Sequence, residues 1–249
     1  MEADTKRGAV VLGGSRGIGL AAARALAGAG SDVVIGYRSD HAAADEAADS
    51  IAAESGRRVR SVCADLADIA RTREAIGAAA QWLGGTIDVL CIPAGIEHLE
   101  HIDEATPEIY DTVFGTNTRG VYFAIQSALP FIPDGGRIVC LSSISASTPF
   151  ANHAIYSASK AAVEAFVGCL AVDLAARSIT VNAVAPGGTH TGLALDTAQR
   201  FGAHLDPRMF HLPFGRLAEP AEIASVIEFL ASPAAGWITG QTVRVAGGQ

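Results

Sequence analysis

Lysine is nearly missing from this chain. Its basic residues are sixteen Arg and two Lys among 249 positions, so any lysine stands where a guanidinium was not used. Basic charge as a whole is also short, 18 residues against 26 acidic ones, for a formal net charge of −8. That balance lacks the basic face of a nucleic-acid binder, and no nucleic-acid partner is expected. No apolar run approaches the roughly 20 residues of a membrane span, so no membrane partner is expected. The opening MEADTKRGAVVL begins acidic and has no apolar signal core before a cleavage site, which predicts a cytoplasmic location. Cysteine is sparse: Cys63, Cys91, Cys140 and Cys169 are widely spaced, with no C-x-x-C pair. Three fall in strand-like runs and one in a helical run, which predicts small buried hydrophobes in a reducing compartment.

What is present is an alternation of short β-branched runs with Ala-rich helical stretches. Strands are expected at 9–14, 31–38, 57–66, 86–95, 136–143, 178–188 and 240–248. Helices are expected at 17–30, 41–55, 69–84, 105–132, 154–178 and 220–232. Strands that are apolar throughout and separated by helices indicate a parallel sheet covered on both faces. Right-handed crossovers then make it an α/β, doubly wound Rossmann fold of about seven strands in a single domain over 1–249. No linker or repeat divides it. The least regular stretch, 188–213, is the candidate substrate flap, with Leu193, Leu195, Phe201, Leu205, Met209 and Phe210 giving it apolar character.

The stretch GGSRGIG joins the first strand to the first helix. Gly13, Gly17 and Gly19 permit a tight turn and a close backbone approach, and the helix start offers free N–H groups to a pyrophosphate. At the end of the second strand Tyr37 stands where an acid would bind a free ribose, followed by Arg38 and Ser39. With Arg16 in the glycine turn, Arg38 favours a 2′-phosphate and hence NADP(H) over NAD(H). Further on, YSASK places Tyr156 and Lys160 four residues apart on one helix face. A tyrosine of ordinary pKa, near 10, is a reluctant acid or base at neutral pH. An ammonium beside it is expected to lower that value.

Together these pieces resemble the short-chain dehydrogenase/reductase family over essentially the whole chain. The resemblance rests on the glycine turn, Asp65 after the third strand, Asn117, the pair Ser142–Ser143, Tyr156-x-x-x-Lys160 and NAVAPGGTHT (182–191). Within the family, NAVAPGG and the Gly236-Trp237-x-Thr239-Gly240 stretch look like the branch of 3-oxoacyl-carrier-protein and polyhydroxynaphthalene-type reductases. The resemblance implies hydride transfer between NADP(H) and a small-molecule ketone or secondary alcohol. Asn117, Ser143, Tyr156 and Lys160 would be catalytic, with Tyr156 the proton donor and Asn117 ordering a water toward Lys160. Ser15 and Ile18 would join the glycine turn on the cofactor, Asp65 and Leu66 would flank adenine, and Ala94 and Gly95 would line the middle. Pro186, Gly187, Thr189 and Thr191 would hold the carboxamide end. His153, His98 and Gly187 are candidate substrate contacts, and no metal is expected, because EHLEH (97–101) lacks a ligand spacing. His190, His204 and His211 are expected at the surface.

Two departures from the family pattern stand out. Leu12 replaces a threonine, and Ile92 and Pro93 replace two asparagines. Leu12 and Ile92 are expected to pack together. A homotetramer or homodimer is implied: the catalytic helix carries Ala162, Phe166, Leu170 and Leu174, more apolar positions than one buried face needs, and a partner would bury the rest. The alternative to an enzyme is a cofactor-binding regulator without turnover.

Overall fold

The computed structural model describes residues 7–192 and 212–249. Much of the expected flap, including its six apolar residues, His204 and His211, lies outside the described residues. Seven strands form one parallel sheet: β1 (Gly8–Leu12), β2 (Asp32–Tyr37), β3 (Val59–Cys63), β4 (Val89–Ile92), β5 (Arg137–Leu141), β6 (Thr180–Pro186) and β7 (Thr242–Val245). Their order is β3-β2-β1-β4-β5-β6-β7. The order reverses between β1 and β4, and a crevice opens there beyond the strand ends.

Why the strands read as apolar throughout is visible in how their residues divide. Val10 and Leu12 face one core with Val34, Leu90, Ile92 and Ile138. Ala9 and Val11 face the other with Val33, Ile35, Val89 and Val139. Helices α3 (Ile69–Trp82), α5 (Val121–Ala128) and α6 (Ala154–Asp173) cover the first face. Helices α1 (Gly17–Gly28), α2 (His41–Ser55) and α7 (Pro220–Ala231) cover the second. Leu12 and Ile92 are both buried in the first cluster, so apolar residues fill the core where the family pattern has polar ones.

The long helix expected over 105–132 is three pieces: α4 (Pro107–Phe114), a π-helical segment at Gly115–Gly120, and α5. A π-turn inserts extra backbone and is common at functional positions. Close packing bears on this one, since a Cβ at Gly120 would sit 2.3 Å from the Leu66 carbonyl oxygen. Cys91 and Cys140 are buried as expected and Cys63 is partly so, but Cys169 is exposed. It falls on the outer side of α6, which helical periodicity alone left unassigned. Leu174 is buried and Leu170 packs against the core, so of the four apolar positions these two belong to the buried face.

Helix α6 is 20 residues long with a mean hydropathy of 1.4, long and apolar enough to cross a membrane by length and composition. Here its Val163, Val167 and Ala171 pack on Val181 and Ala183 of β6, which accounts for that apolarity.

Candidate active site

The glycine turn is shaped by contacts that exclude side chains. Gly13 has φ +92°, a left-handed value, and its Cβ would lie 2.8 Å from Ala94 at the end of β4. A Cβ on Gly19 would fall 2.0 Å from the Gly13 carbonyl oxygen, so helix α1 can approach the turn only with glycine there. Asp40, Asp68 and Thr106 cap α2, α3 and α4 with side-chain oxygens. Helix α1 starts at Arg16 with no side-chain cap and no acidic residue in its first turn. Its positive end is thus left open for an anion. Ile18 packs against the second core, and Ser15 stays partly exposed in the turn.

Tyr37 ends β2, stacked on His41, and its hydroxyl is 2.9 Å from His41 Nδ1. Arg16, Arg38 and Ser39 are exposed. Among the described residues no partner is recorded for the side chain of Arg16 or Arg38. Two uncommitted guanidinium groups beside an uncapped helix start fit a phosphorylated dinucleotide. Asp65 accepts from the Ala67 N–H and so shapes its own loop. Leu66 is buried in the first core, a packing residue before it is a cofactor contact.

At the ends of β4, β5 and β6 the expected catalytic residues come together. Tyr156 and Lys160, one turn apart on α6, are 9% and 3% exposed. The Lys160 ammonium donates to the Leu141 carbonyl at 2.9 Å and lies 5.9 Å from the Tyr156 ring centre. Ser143 accepts from the Ser145 hydroxyl (2.9 Å) and the Ser145 N–H (3.2 Å), which leaves its own proton to donate. Ser142 is turned away, donating to Glu164 at 2.7 Å.

Asn117, fully buried in the π-helical segment, clamps the loop after β4. Its amide nitrogen donates to the Ile96 carbonyl (2.8 Å) and to the Ser159 hydroxyl (3.1 Å), and its oxygen accepts the Ile96 N–H (2.8 Å). Gly95 lies between Lys160 and Asn117, and its Cβ would stand 3.0 Å from the ammonium nitrogen. On the other wall, Pro186 ends β6 and the Gly187 N–H donates to Val245. Thr189 donates to the Gly187 carbonyl at 2.9 Å. A Cβ at Gly17 would touch the Thr191 methyl at 3.5 Å, so the loop after β6 lies over the glycine turn.

The electrostatics differ from the sequence expectation. Tyr156 is pushed above the ordinary tyrosine value, first by burial and then by the Glu97 carboxylate, with a hydrogen bond to Ser143 pulling the other way. Burial pushes Lys160 down to about 8. Desolvation outweighs the ammonium because a phenolate loses hydration in this closed site, while Lys160 spends a proton on a backbone carbonyl.

Sequence reasoning placed Glu97 in EHLEH near the expected substrate mouth but gave it no influence on Tyr156. Its position just past the end of β4, where ligands of parallel sheets bind, was the available signal. His153, ahead of α6, is edge-on to Tyr156 with ring centres 6.4 Å apart. His98 instead pairs with buried Glu100 at 2.7 Å, which turns it to a structural task. His190 is exposed, as expected.

A parallel sheet with an open glycine turn at its reversal point and a buried phenol–ammonium pair opposite defines a dinucleotide-binding oxidoreductase. A family model described as Enoyl-(Acyl carrier protein) reductase matches residues 13–249. A hydroxynaphthalene reductase-like protein of Metarhizium guizhouense is 38% identical over 251 residues, covering 96% of this chain and 93% of its own. A short-chain dehydrogenase from Burkholderia cenocepacia, solved with NADP, superposes with a TM-score of 0.90 at 35% identity, over 97% of this chain and 96% of that one. An angucycline C-6 ketoreductase solved with bound NADP gives 0.89 at 36% identity, over 97% and 94%. The chain belongs to the short-chain dehydrogenase/reductase family.

Proposed function

We propose that this protein is an NADP(H)-dependent ketoreductase acting on a hydrophobic, polyketide-type or 3-oxoacyl ketone. The observation that carries the reading is the convergence of Ser143, Tyr156 and Lys160 beside the glycine turn. The relative named for hydroxynaphthalene and the NADP-bound ketoreductase support the substrate class and the cofactor.

The dinucleotide, when bound, supplies the hydride that reaches the carbonyl carbon. Gly13, Gly17 and Gly19 admit its pyrophosphate, and Arg16 and Arg38 hold a 2′-phosphate. Ser143 donates to the carbonyl oxygen and steadies its growing negative charge. Tyr156 donates the proton that completes the alcohol. Its proton is in place at neutral pH, as in an ordinary tyrosine. Lys160 holds the ribose hydroxyls, and its charge stabilises the phenolate left behind. Asn117 keeps the Ile96 backbone in position and, as the family pattern suggests, orders a water toward Lys160. Thr189 and Thr191 grip the carboxamide. A ketone panel with NADPH, followed by loss of absorbance, tests this. The expected result is ketone-dependent oxidation of NADPH, faster than of NADH; no turnover on any ketone would refute it.

We infer a single-domain protein of the cytoplasm that assembles about two-fold axes. Tyr122 and Phe166 meet edge-to-face on α5 and α6, with ring centres 5.2 Å apart, and Val172 is 76% exposed. Phe229 on α7 and Trp237 after it, 46% and 99% exposed, offer further apolar side chains to a partner. Two apolar surfaces suit a tetramer, and one a dimer. Light scattering at micromolar concentration is expected to return at least a dimer mass, and a monomer would contradict it.

A further inference from the structure

The residues that follow β7 fold back onto the loop that leaves β6. Gly247 and Gly248 take left-handed φ values of +58° and +96°, and the Gln249 N–H returns to the Ala246 carbonyl at 3.1 Å. This turn lays the half-buried Gln249 side chain against Gly187 and Gly188. Its amide oxygen accepts the Gly188 N–H at 2.9 Å, across 61 positions of sequence. A Cβ at Gly187 would stand 2.4 Å from the same oxygen, so the approach needs glycine there. Gln249 is itself anchored. Its main-chain oxygen accepts from Arg244 at 3.2 Å, and the same guanidinium donates to Ser147 (3.2 Å) and Thr148 (2.9 Å) in the loop past Ser143.

The Gly187 carbonyl and the Gly188 N–H belong to one planar peptide unit. The Thr189 hydroxyl donates to its oxygen at 2.9 Å, and Gln249 accepts from its nitrogen. Glycine on either side resists rotation of that unit least, so the two bonds set its orientation. The next unit joins Gly188 to Thr189. Its carbonyl accepts the Ala218 N–H at 2.9 Å, and it carries the Thr189 N–H. Thr189 is 5% exposed, and among the described residues no acceptor is recorded for that N–H. A buried N–H without an acceptor is rare in a folded chain, and the carboxamide oxygen of a nicotinamide would supply one here.

We propose that Gln249 is a positioning residue for the nicotinamide half of the cofactor. It touches no reacting atom. It holds the Gly187–Gly188 peptide so that the Thr189 N–H stays in place to meet the carboxamide. Without the amide oxygen, that peptide is held at its carbonyl alone and turns about two glycines. The adenosine half, at Arg16 and Arg38 beyond β2, lies across the crevice from β6 and makes no use of this latch.

This inference rests on the NADP(H) reading, and the test separates the two. Two ligands are titrated into the wild type, Gln249→Met and Gln249→Glu. One is NADPH, followed by its fluorescence. The other is adenosine 2′,5′-bisphosphate, followed by calorimetry, which carries the adenosine half and no nicotinamide. Gln249→Met keeps the length of the side chain and loses the amide oxygen. It is expected to weaken NADPH about tenfold and to leave the bisphosphate within about twofold of wild type. Gln249→Glu, whose carboxylate still accepts from Gly188, is expected to bind NADPH more tightly than Gln249→Met. Unchanged NADPH affinity in Gln249→Met, equal weakening of both ligands, or a Glu variant no tighter than the Met variant overturns the positioning role. A wild type that binds neither ligand overturns the NADP(H) reading with it. A wild type that binds both and reduces no ketone overturns the ketoreductase reading alone, and the variants still decide the role of Gln249.

Discussion

Tyr156→Phe is expected to lower ketone turnover at least about a hundredfold while leaving NADPH binding nearly unchanged. The substitution removes one oxygen and keeps the ring, so the α6 packing that orients Lys160 persists. What disappears is the proton donor, and positioned general acids contribute roughly a hundred- to ten-thousandfold. Ser143 does not replace it. A serine hydroxyl can stabilise charge on the carbonyl oxygen by hydrogen bonding, but it is far too weak an acid to complete the alcohol. A tyrosine is protonated at neutral pH even at its ordinary value, so loss of the donor acts on the whole enzyme population. Turnover is read from NADPH absorbance and binding from NADPH fluorescence. A variant retaining more than a tenth of wild-type turnover would remove Tyr156 from the proposed role.

The second large effect is on cofactor choice. Arg38→Asp is expected to weaken NADPH strongly and bring the preference for NADPH over NADH to parity or invert it. Arg38 is exposed at the end of β2, next to Tyr37, where the adenosine ribose of a dinucleotide falls in this topology. A charge-assisted bond to phosphate contributes about ten- to a hundredfold in preference. The aspartate removes that bond and sets a carboxylate against the phosphate. The same carboxylate would accept from the free ribose hydroxyls of NADH. Because the arginine is solvent-exposed, the fold should not suffer, and the change should be confined to the cofactor. The measurement is the NADPH/NADH ratio of kcat/KM in wild type and variant. A wild type that already prefers NADH, or a ratio that does not move, makes Arg38 a bystander.

Much of this molecule was legible in the chain because it is written in local repeats. Apolar runs bounded by glycine and charge marked the strands. A four-residue interval put Tyr156 and Lys160 on one helix face, since 3.6 residues make a turn. The glycine turn was readable by its place between β1 and α1. Even the departures Leu12 and Ile92 announced side chains buried in one apolar core. Other features depend on groups that meet from distant parts of the chain, and no local pattern encodes them. Helical periodicity ran unbroken through 105–132, yet the close approach of Leu66 to Gly120 and the Asn117 clamp on Ile96 accompany a π-helical segment there. Cys169 read as one more apolar helix residue, but only packing assigns a side to it. The acidity of Tyr156 was misjudged because its nearest charge in sequence, Lys160, is not its strongest influence. Burial under several elements and a carboxylate from the loop after β4 outweigh it, since desolvation and charge act through space rather than along the chain.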